Sequence, residues 1–149
     1  MGNDPRTGAV VLRLKEQGCR ITPQRLAVVD ALIGSGAHPT VEQIYGDVQA
    51  KFPTISLATV YKIVNLLKDL GEIRELTLQG DRHRYDGRTA EPHPHVICLR
   101  CQAVADADIP GWSRFAREAQ QRTGFHILEQ RLEFFGLCRG CQQKDLPQV

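Results

Sequence analysis

Four of the five cysteines fall into two pairs, Cys98-x-x-Cys101 and Cys138-x-x-Cys141, separated by 36 residues. Each CxxC puts two thiolates on one tight turn, and two such knuckles supply the four donors that tetrahedral Zn(II) accepts. One pair alone would equally describe a thioredoxin-type redox motif, and two independent redox pairs or buried thiols stand as alternatives. Four cysteine ligands leave no open coordination position, so a zinc held this way serves folding rather than catalysis. Cys19, between Gly18 and Arg20, is the unmatched thiol and reads as a small buried residue rather than a sensor.

A second donor set lies just before the first knuckle. His93-Pro94-His95 places two imidazoles two residues apart, and in an extended segment both point to one face and can reach one ion. Asp86 and Asp106 flank this pair along the chain, and His38 precedes the third helix. Three imidazoles and two carboxylates suit Fe(II), Mn(II) or Zn(II) with five or six ligands. Taken singly, His38 before Pro39 also fits a turn, Asp86 a hairpin end and Asp106 a surface or capping group.

These donors must be positioned by a chain of 149 residues, enough for one ordinary domain or two small ones. Charged residues nearly balance, with 19 Lys and Arg against 17 Asp and Glu and a net charge of +2. That excludes a polybasic tail and a strongly acidic disordered chain. No apolar run is long enough to span a membrane, and the first six residues lack the apolar core of a secretory signal. A cytoplasmic location with reduced thiols is therefore expected, without a membrane partner.

The first half reads as helices followed by a hairpin. Residues 8–17 carry Val10, Val11 and Leu14 near helical spacing. Thr22-Pro23 opens a second helix lined by Leu26, Val29, Leu32 and Ile33. Thr40 with Gln43 forms a capping box for a third, lined by Val41, Ile44, Tyr45 and Val48. Ser56 caps a fourth, expected to bury Leu57, Val60, Val64 and Leu67 and to display Thr59, Tyr61, Lys62, Asn65 and Lys68. Strands over 72–78 and 82–85 then meet at Gly80-Asp81.

That order describes a winged helix-turn-helix over 1–87, and the polar, proline-containing stretch 88–94 reads as a hinge. Residues 95–149 would form a second domain. Strands are expected near 96–99 and 103–105, with a helix over 110–122 burying Trp112, Phe115 and Ala119. A last strand is expected over 125–137. So small a unit needs a metal or a partner subunit to be stable. The fold class is thus α+β, an N-terminal winged helix-turn-helix followed by a small α/β domain.

An enzyme reading starts from zinc plus histidine and fails on residues. Zinc deaminases need His-x-Glu with Pro-Cys-x-x-Cys, whereas this chain has His93-Pro94-His95 and Ile97-Cys98, without the general acid/base glutamate. Neither an enzymatic activity nor a small organic substrate is expected.

The chain resembles the ferric uptake regulator (Fur) superfamily of metal-dependent repressors. Arg20-Ile21-Thr22-Pro23-Gln24-Arg25, His38-Pro39-Thr40 through Ile44-Tyr45, and Ser56-Leu57-Ala58-Thr59-Val60-Tyr61 match its helix-opening and recognition motifs in order. His93-x-His95-x-x-Cys98-x-x-Cys101, then Gly124-Phe125 and Arg131-Leu132-Glu133 to Cys138-x-x-Cys141, complete the pattern. The resemblance implies a homodimer that binds double-stranded operator DNA, with structural Zn(II) on Cys98, Cys101, Cys138 and Cys141. It implies a regulatory Fe(II) or Mn(II), with Zn(II) as a further candidate, on His38, Asp86, His93, His95 and Asp106. One ion gripping residues from both domains and the hinge would set the spacing of two recognition helices across the dimer.

By the same resemblance Lys15, Arg20, Arg25, Ser56, Thr59, Tyr61 and Lys62 are the DNA-binding set, with Tyr61 on a thymine methyl or sugar face. Lys62 stands where relatives commonly carry Arg, and loses that fork geometry. Lys15 or Arg13 would reach an adjacent minor groove. Aspartates at 86 and 106, where iron sensors usually carry Glu, resemble the peroxide-sensing PerR-type members. In those, bound Fe(II) reacts with peroxide and oxidises a ligand histidine, here His38 or His93. The alternative is an iron-, manganese- or zinc-responsive regulator of metal homeostasis without peroxide sensing. The chain departs from the family at Pro94 and at Gln130, where many relatives have His, so the family's extra metal site is not expected. Asp108 and His126 offer a substitute pair, although a lone strand histidine is more often structural.

Overall fold

The computed structural model describes residues 4–89 and 91–144. The chain divides into two compact units, 1–90 and 91–149. Among the described residues no helix is long and apolar enough to cross a membrane.

In the first unit, four helices precede a hairpin: α1 (Pro5–Glu16), α2 (Pro23–Ile33), α3 (Val41–Gln49), α4 (Leu57–Asp69), β1 (Arg74–Leu78) and β2 (Arg82–Asp86). Asp4 caps α1 and Pro5 occupies its first position, so that helix starts three residues earlier than its apolar spacing indicates. Thr22 and Ser56 cap α2 and α4 as expected, and Thr40 with Gln43 closes a full capping box on α3. Val10, Leu14, Val29, Leu32, Ile44, Val48, Val60, Val64 and Leu67 meet in one core closed by Ile73 and Tyr85. Leu57, expected inside, is exposed at the first position of α4, and Ile63 is buried in that helix instead. The strands pair antiparallel with Leu78 opposite Arg82, and Gly80 and Asp81 both take left-handed backbone at the tip.

In the second unit β3 (His95–Cys98) lies between β4 (Val104–Asp106), antiparallel to it, and β5 (Glu133–Gly136), parallel to it. A parallel neighbour requires a crossover, which α5 (Arg114–Thr123) supplies before Gly124 ends it with φ +74°. Three expectations need correction here. Residues 110–113 form a turn rather than the first turn of α5, because Ser113 gives no side-chain cap. The expected buried face of α5 is not covered by this chain: Phe115 is 55% exposed, and Trp112 and Ala119 are only half-buried. The last strand occupies only 133–136, since 125–132 form no sheet ladder among the described residues. A short helix that apolar spacing gives no sign of, α6 (Arg139–Gln143), carries Cys141.

Candidate metal centres

The two cysteine knuckles are built on the ends of β3 and α6. Cys98 ends β3, and the chain turns through Leu99-Arg100-Cys101 to Gln102, which adopts φ 60°. Gln102 N donates to Cys98 O at 2.9 Å and Cys98 N to Ala103 O at 2.9 Å, closing the turn into β4. Cys138 precedes α6, and Cys141 N donates back to Cys138 O at 3.0 Å. Parallel pairing of Cys98 with Gly136 brings the second knuckle to the first.

All four sulfurs lie within 4.8 Å of one another, and Cys101 Sγ stands 3.7 Å from Cys138 Sγ. A disulfide would need about 2.05 Å. Zn–S bonds of about 2.3 Å at tetrahedral angles place neighbouring sulfurs about 3.75 Å apart. The donor set and spacing therefore fit zinc. Backbone N–H donors from Cys138, Cys101 and Arg100 bring the Cys98 thiol down to about 5, while burial pushes Cys141 up to about 12. Cys138 N reaches Cys98 Sγ at 3.4 Å, the geometry of an amide stabilising a thiolate. Arg100, which residue spacing does not single out, donates to Cys141 O at 2.9 Å and ties one knuckle to the other.

The nitrogen and oxygen donors form one group in each unit. In the first, His38 Nε2 stands 3.7 Å from Asp86 Oδ2, with both side chains buried. The sequence places them 48 residues apart; β2 brings them together. Tyr85 N donates to Pro39 O at 3.0 Å, and Arg84 donates to His38 O at 3.2 Å, so the loop before α3 is laced to the strand that ends in Asp86. Asp86 Oδ1 accepts from Arg88 N at 2.9 Å, which leaves Oδ2 as the oxygen toward His38.

In the second unit, β-sheet register sets the geometry. His95 pairs with Asp106 across β3 and β4, and its Nε2 lies 3.5 Å from Asp106 Oδ1. His93 Nε2 reaches the same oxygen at 3.0 Å, and the two imidazole centroids are 4.4 Å apart. Nδ1 of His93 lies 3.0 Å from Glu91 O, a bond that favours the tautomer whose Nε2 carries the lone pair. Pro94 is fully buried, and its carbonyl accepts from Ala107 N at 2.8 Å, so the proline braces the segment between the histidines. Two donors about 2.1 Å from one ion at right angles lie about 3.0 Å apart. Both groups thus have the donor chemistry for a divalent ion, and the separations approach those of neighbouring ligands.

Gln130 has a different task from a ligand. Its Oε1 accepts from Ala116 N at 3.0 Å and its Nε2 donates to Trp112 O at 2.7 Å, so it supplies the cap that Ser113 omits. Among the described residues neither metal-ligating group includes Asp108 or His126. Cys19 packs part-buried against the core of the first unit.

On α4 the exposed side presents Tyr61, Lys62 and Asn65. Tyr61 OH donates to Glu42 on α3 at 3.2 Å, and burial followed by that carboxylate holds its phenol above the ordinary range. Ser56 and Thr59 hydroxyls bond each other at 2.8 Å at the start of the helix. Lys15 and Arg20 are exposed, and Arg25 donates back to Arg20 O. Arg13 is taken by an ion pair with the buried Glu72, to which both arms of its guanidinium donate.

Known proteins resemble this chain over most of its length. The peroxide-responsive repressor PerR of Staphylococcus aureus (strain USA300) is 39% identical over 134 residues, 90% of each chain. The ferric uptake regulator of Helicobacter pylori, a structure with three functional metal-binding sites, matches with a TM-score of 0.80 at 26% identity, covering 91% of this chain and 93% of its own. PerR from Streptococcus pyogenes, a peroxide sensor, matches with a TM-score of 0.53 at 34% identity, over 92% and 93% of the two chains. The sequence model of the Ferric uptake regulator family matches residues 16–135, and the chain belongs to that family.

Proposed function

We propose that this protein is a dimeric, metal-dependent transcriptional repressor that binds operator DNA when a divalent ion joins its two nitrogen and oxygen donor groups. The observation that carries the reading is the division of those donors. His38 and Asp86 lie in one unit and His93, His95 and Asp106 in the other, and neither group completes a five- or six-ligand shell alone. An ion that takes all five restrains the link between the units and couples metal level to DNA affinity. Cys98, Cys101, Cys138 and Cys141 hold a structural Zn(II). Regulatory metal is Fe(II) or Mn(II), with Zn(II) able to occupy the same donors. The protein is a cytoplasmic regulator, not an enzyme.

Dimerisation is supported by apolar surface. Phe125 and Leu128 are 72% and 88% exposed, and Phe115, Phe134, Phe135 and Val96 are also open in a unit with few buried side chains. A second copy covering such surface would remove it from water. DNA binding is supported by the exposed Tyr61 and Lys62 on α4, with Ser56, Thr59, Lys15, Arg20 and Arg25 contributing phosphate or groove contacts. Because the net charge is only +2, affinity depends more on the spacing of two recognition helices than on bulk attraction.

The signal is peroxide. Ferrous iron held by these residues would supply the redox chemistry, with one oxygen of hydrogen peroxide added to an imidazole and the other leaving as water. The resemblance to PerR-type members assigns that role to His38 and His93; His93 lies 3.0 Å from Asp106 and His38 3.7 Å from Asp86. An oxidised ring is a poorer ligand, so the units are released and the operator is vacated. The test is operator binding by purified protein loaded with Fe(II), Mn(II) or Zn(II), before and after peroxide, with peptide mass spectrometry. Loss of binding only in the iron form, with one added oxygen on a peptide containing His38 or His93, is expected. Metal-dependent binding without that oxygen would leave a metal-homeostasis regulator, and metal-independent binding would remove the whole reading.

A further inference from the structure

Two helices that carry none of the proposed ligands, α1 and α2, hold the backbone just after Asp86. Immediately after it, Gly87 is buried, and a Cβ there would stand 2.6 Å from Leu32 O and 2.9 Å from Leu32 C at the end of α2. Only a residue without a side chain passes this point. The Gly87 carbonyl accepts from Arg6 Nε at 2.6 Å, and another nitrogen of the same guanidinium donates to Glu72 O, at the root of the hairpin. With Asp86 Oδ1 engaged by Arg88 N, both ends of the 86–88 segment are fixed and Oδ2 faces His38. Asp4 and Pro5 set the start of α1 so that Arg6 falls in its first turn, within reach of both carbonyls.

We propose that Arg6 is a positioning residue for the regulatory metal: its clamp on the Gly87 carbonyl orients the Gly87–Arg88 peptide, whose N–H holds Asp86 Oδ1, and so selects the carboxylate oxygen offered to the ion. This rests on the reading of His38 and Asp86 as ligands. A guanidinium suits the task because its planar fork spans two carbonyls at once and stays charged at every relevant pH. Groups that orient a ligand without touching the ion commonly change metal affinity 10- to 100-fold.

Arg13 is the internal control. It also ties α1 to Glu72, through both carboxylate oxygens, but among the described residues it reaches Glu72 and not Gly87. An effect that runs only through anchoring α1 would therefore be shared by both arginines, whereas an effect on Asp86 belongs to Arg6 alone.

The experiment titrates Mn(II) into full-length, zinc-loaded protein by calorimetry, for wild type, Arg6→Gln, Arg13→Gln and Asp86→Asn, alongside thermal unfolding without Mn(II). Both arginine variants are expected to melt at lower temperature. Arg6→Gln should bind Mn(II) about 10-fold more weakly, and Arg13→Gln should stay within about twofold of wild type. Arg6→Lys keeps the charge without the fork; it provides a folded variant if Gln does not, and should also bind more weakly. Wild-type affinity in Arg6→Gln or Arg6→Lys, or an equal loss in Arg13→Gln, would overturn the inference while Asp86→Asn still loses the ion. If Asp86→Asn itself binds Mn(II) as wild type does, the ligand reading falls and the inference falls with it.

Discussion

Removing zinc should unfold half of this protein and leave the other half standing. The first unit buries a cluster of sixteen side chains running from Val10 to Tyr85, each contributing about 1.5–3 kcal/mol. In the second unit the buried apolar side chains among the described residues are Pro94, Ile97, Cys98 and Cys141, and the two cysteines are proposed zinc ligands. Burial of so few groups supplies only a few kcal/mol. A structural zinc supplies roughly 10–16 kcal/mol of apparent binding free energy at neutral pH, so with zinc on the four proposed cysteine ligands most of the second unit's stability would be metal binding. Hydrogen-exchange mass spectrometry on zinc-loaded wild type, chelated wild type and Cys138→Ser gives the assay. Amides of 95–98 and 133–136 should exchange fully once zinc is lost, while those of α2 and α4 keep their protection. The exposed apolar side chains 115, 125, 128, 134 and 135 should lose their second-copy cover at the same time, so the chelated protein should sediment as a monomer. Retained protection over 95–98 in zinc-free protein would show that the sheet stands on its own packing and refute this reasoning.

Gly87→Ala should cost about 2–4 kcal/mol in chemical unfolding, because its Cβ meets backbone atoms at the end of α2 rather than a side chain that can turn away. Gln130→Ala should destabilise by about 1–2 kcal/mol and increase amide exchange at Ala116, since that side chain caps the start of α5. Glu75 is raised by burial but held below the usual carboxylate range overall, by hydrogen bonds from Lys68 at 3.0 Å and Tyr85 at 3.1 Å. A depressed carboxylate stabilises the fold above its unfolded pKa, and that contribution is lost as pH falls through the folded value. Glu75→Gln should therefore cost about 1–3 kcal/mol at neutral pH, and the gap to wild type should close in acid; a gap independent of pH would show that charge has no part in it.

Much of the first unit was legible because its signals are local. Thr22-Pro23, Thr40 with Gln43, and Ser56 each fix a helix start within four residues, and the cap bonds form as those residues dictate. The second unit was read less well because its pattern answers to groups outside the local chain. The apolar spacing of α5 and the run of apolar residues over 125–137 look like buried elements, yet Phe115 and Phe125 are open in a single copy. Periodicity reports that a face wants cover and not which chain provides it. The cysteines were legible from spacing alone, since CxxC needs only one turn. The pairing of His38 with Asp86 was not, because it depends on Tyr85 N reaching Pro39 O, a tertiary bond that leaves no mark in spacing. There the family resemblance carried what residue types could not. Arg6, Arg84 and Arg100 act through carbonyl oxygens, which every residue possesses, so no sequence pattern announces them.

On the proposed function, the chemistry of the two donor sets would let one metal be permanent and the other a signal. Four thiolates suit zinc, close a tetrahedron and leave no place for an incoming ligand. They carry four negative charges against two positive, so the bound site is anionic and lowers the chain's small formal charge to about zero. Imidazoles and carboxylates are harder donors and admit five or six ligands, so which divalent ion occupies them depends on coordination geometry and on which metal is available. With the five proposed ligands, a sixth position would remain for an incoming ligand, and a ligand set of this kind would let the ion exchange. A second divalent ion also returns the net charge to about +2. On the proposed function, binding of that ion would also remove negative charge from a protein approaching phosphate, so geometry and electrostatics would favour DNA together. Of these, geometry must dominate, because a change of two charges spread over 149 residues is weakly felt beyond a Debye length of about 8 Å, whereas a displaced recognition helix loses its groove altogether.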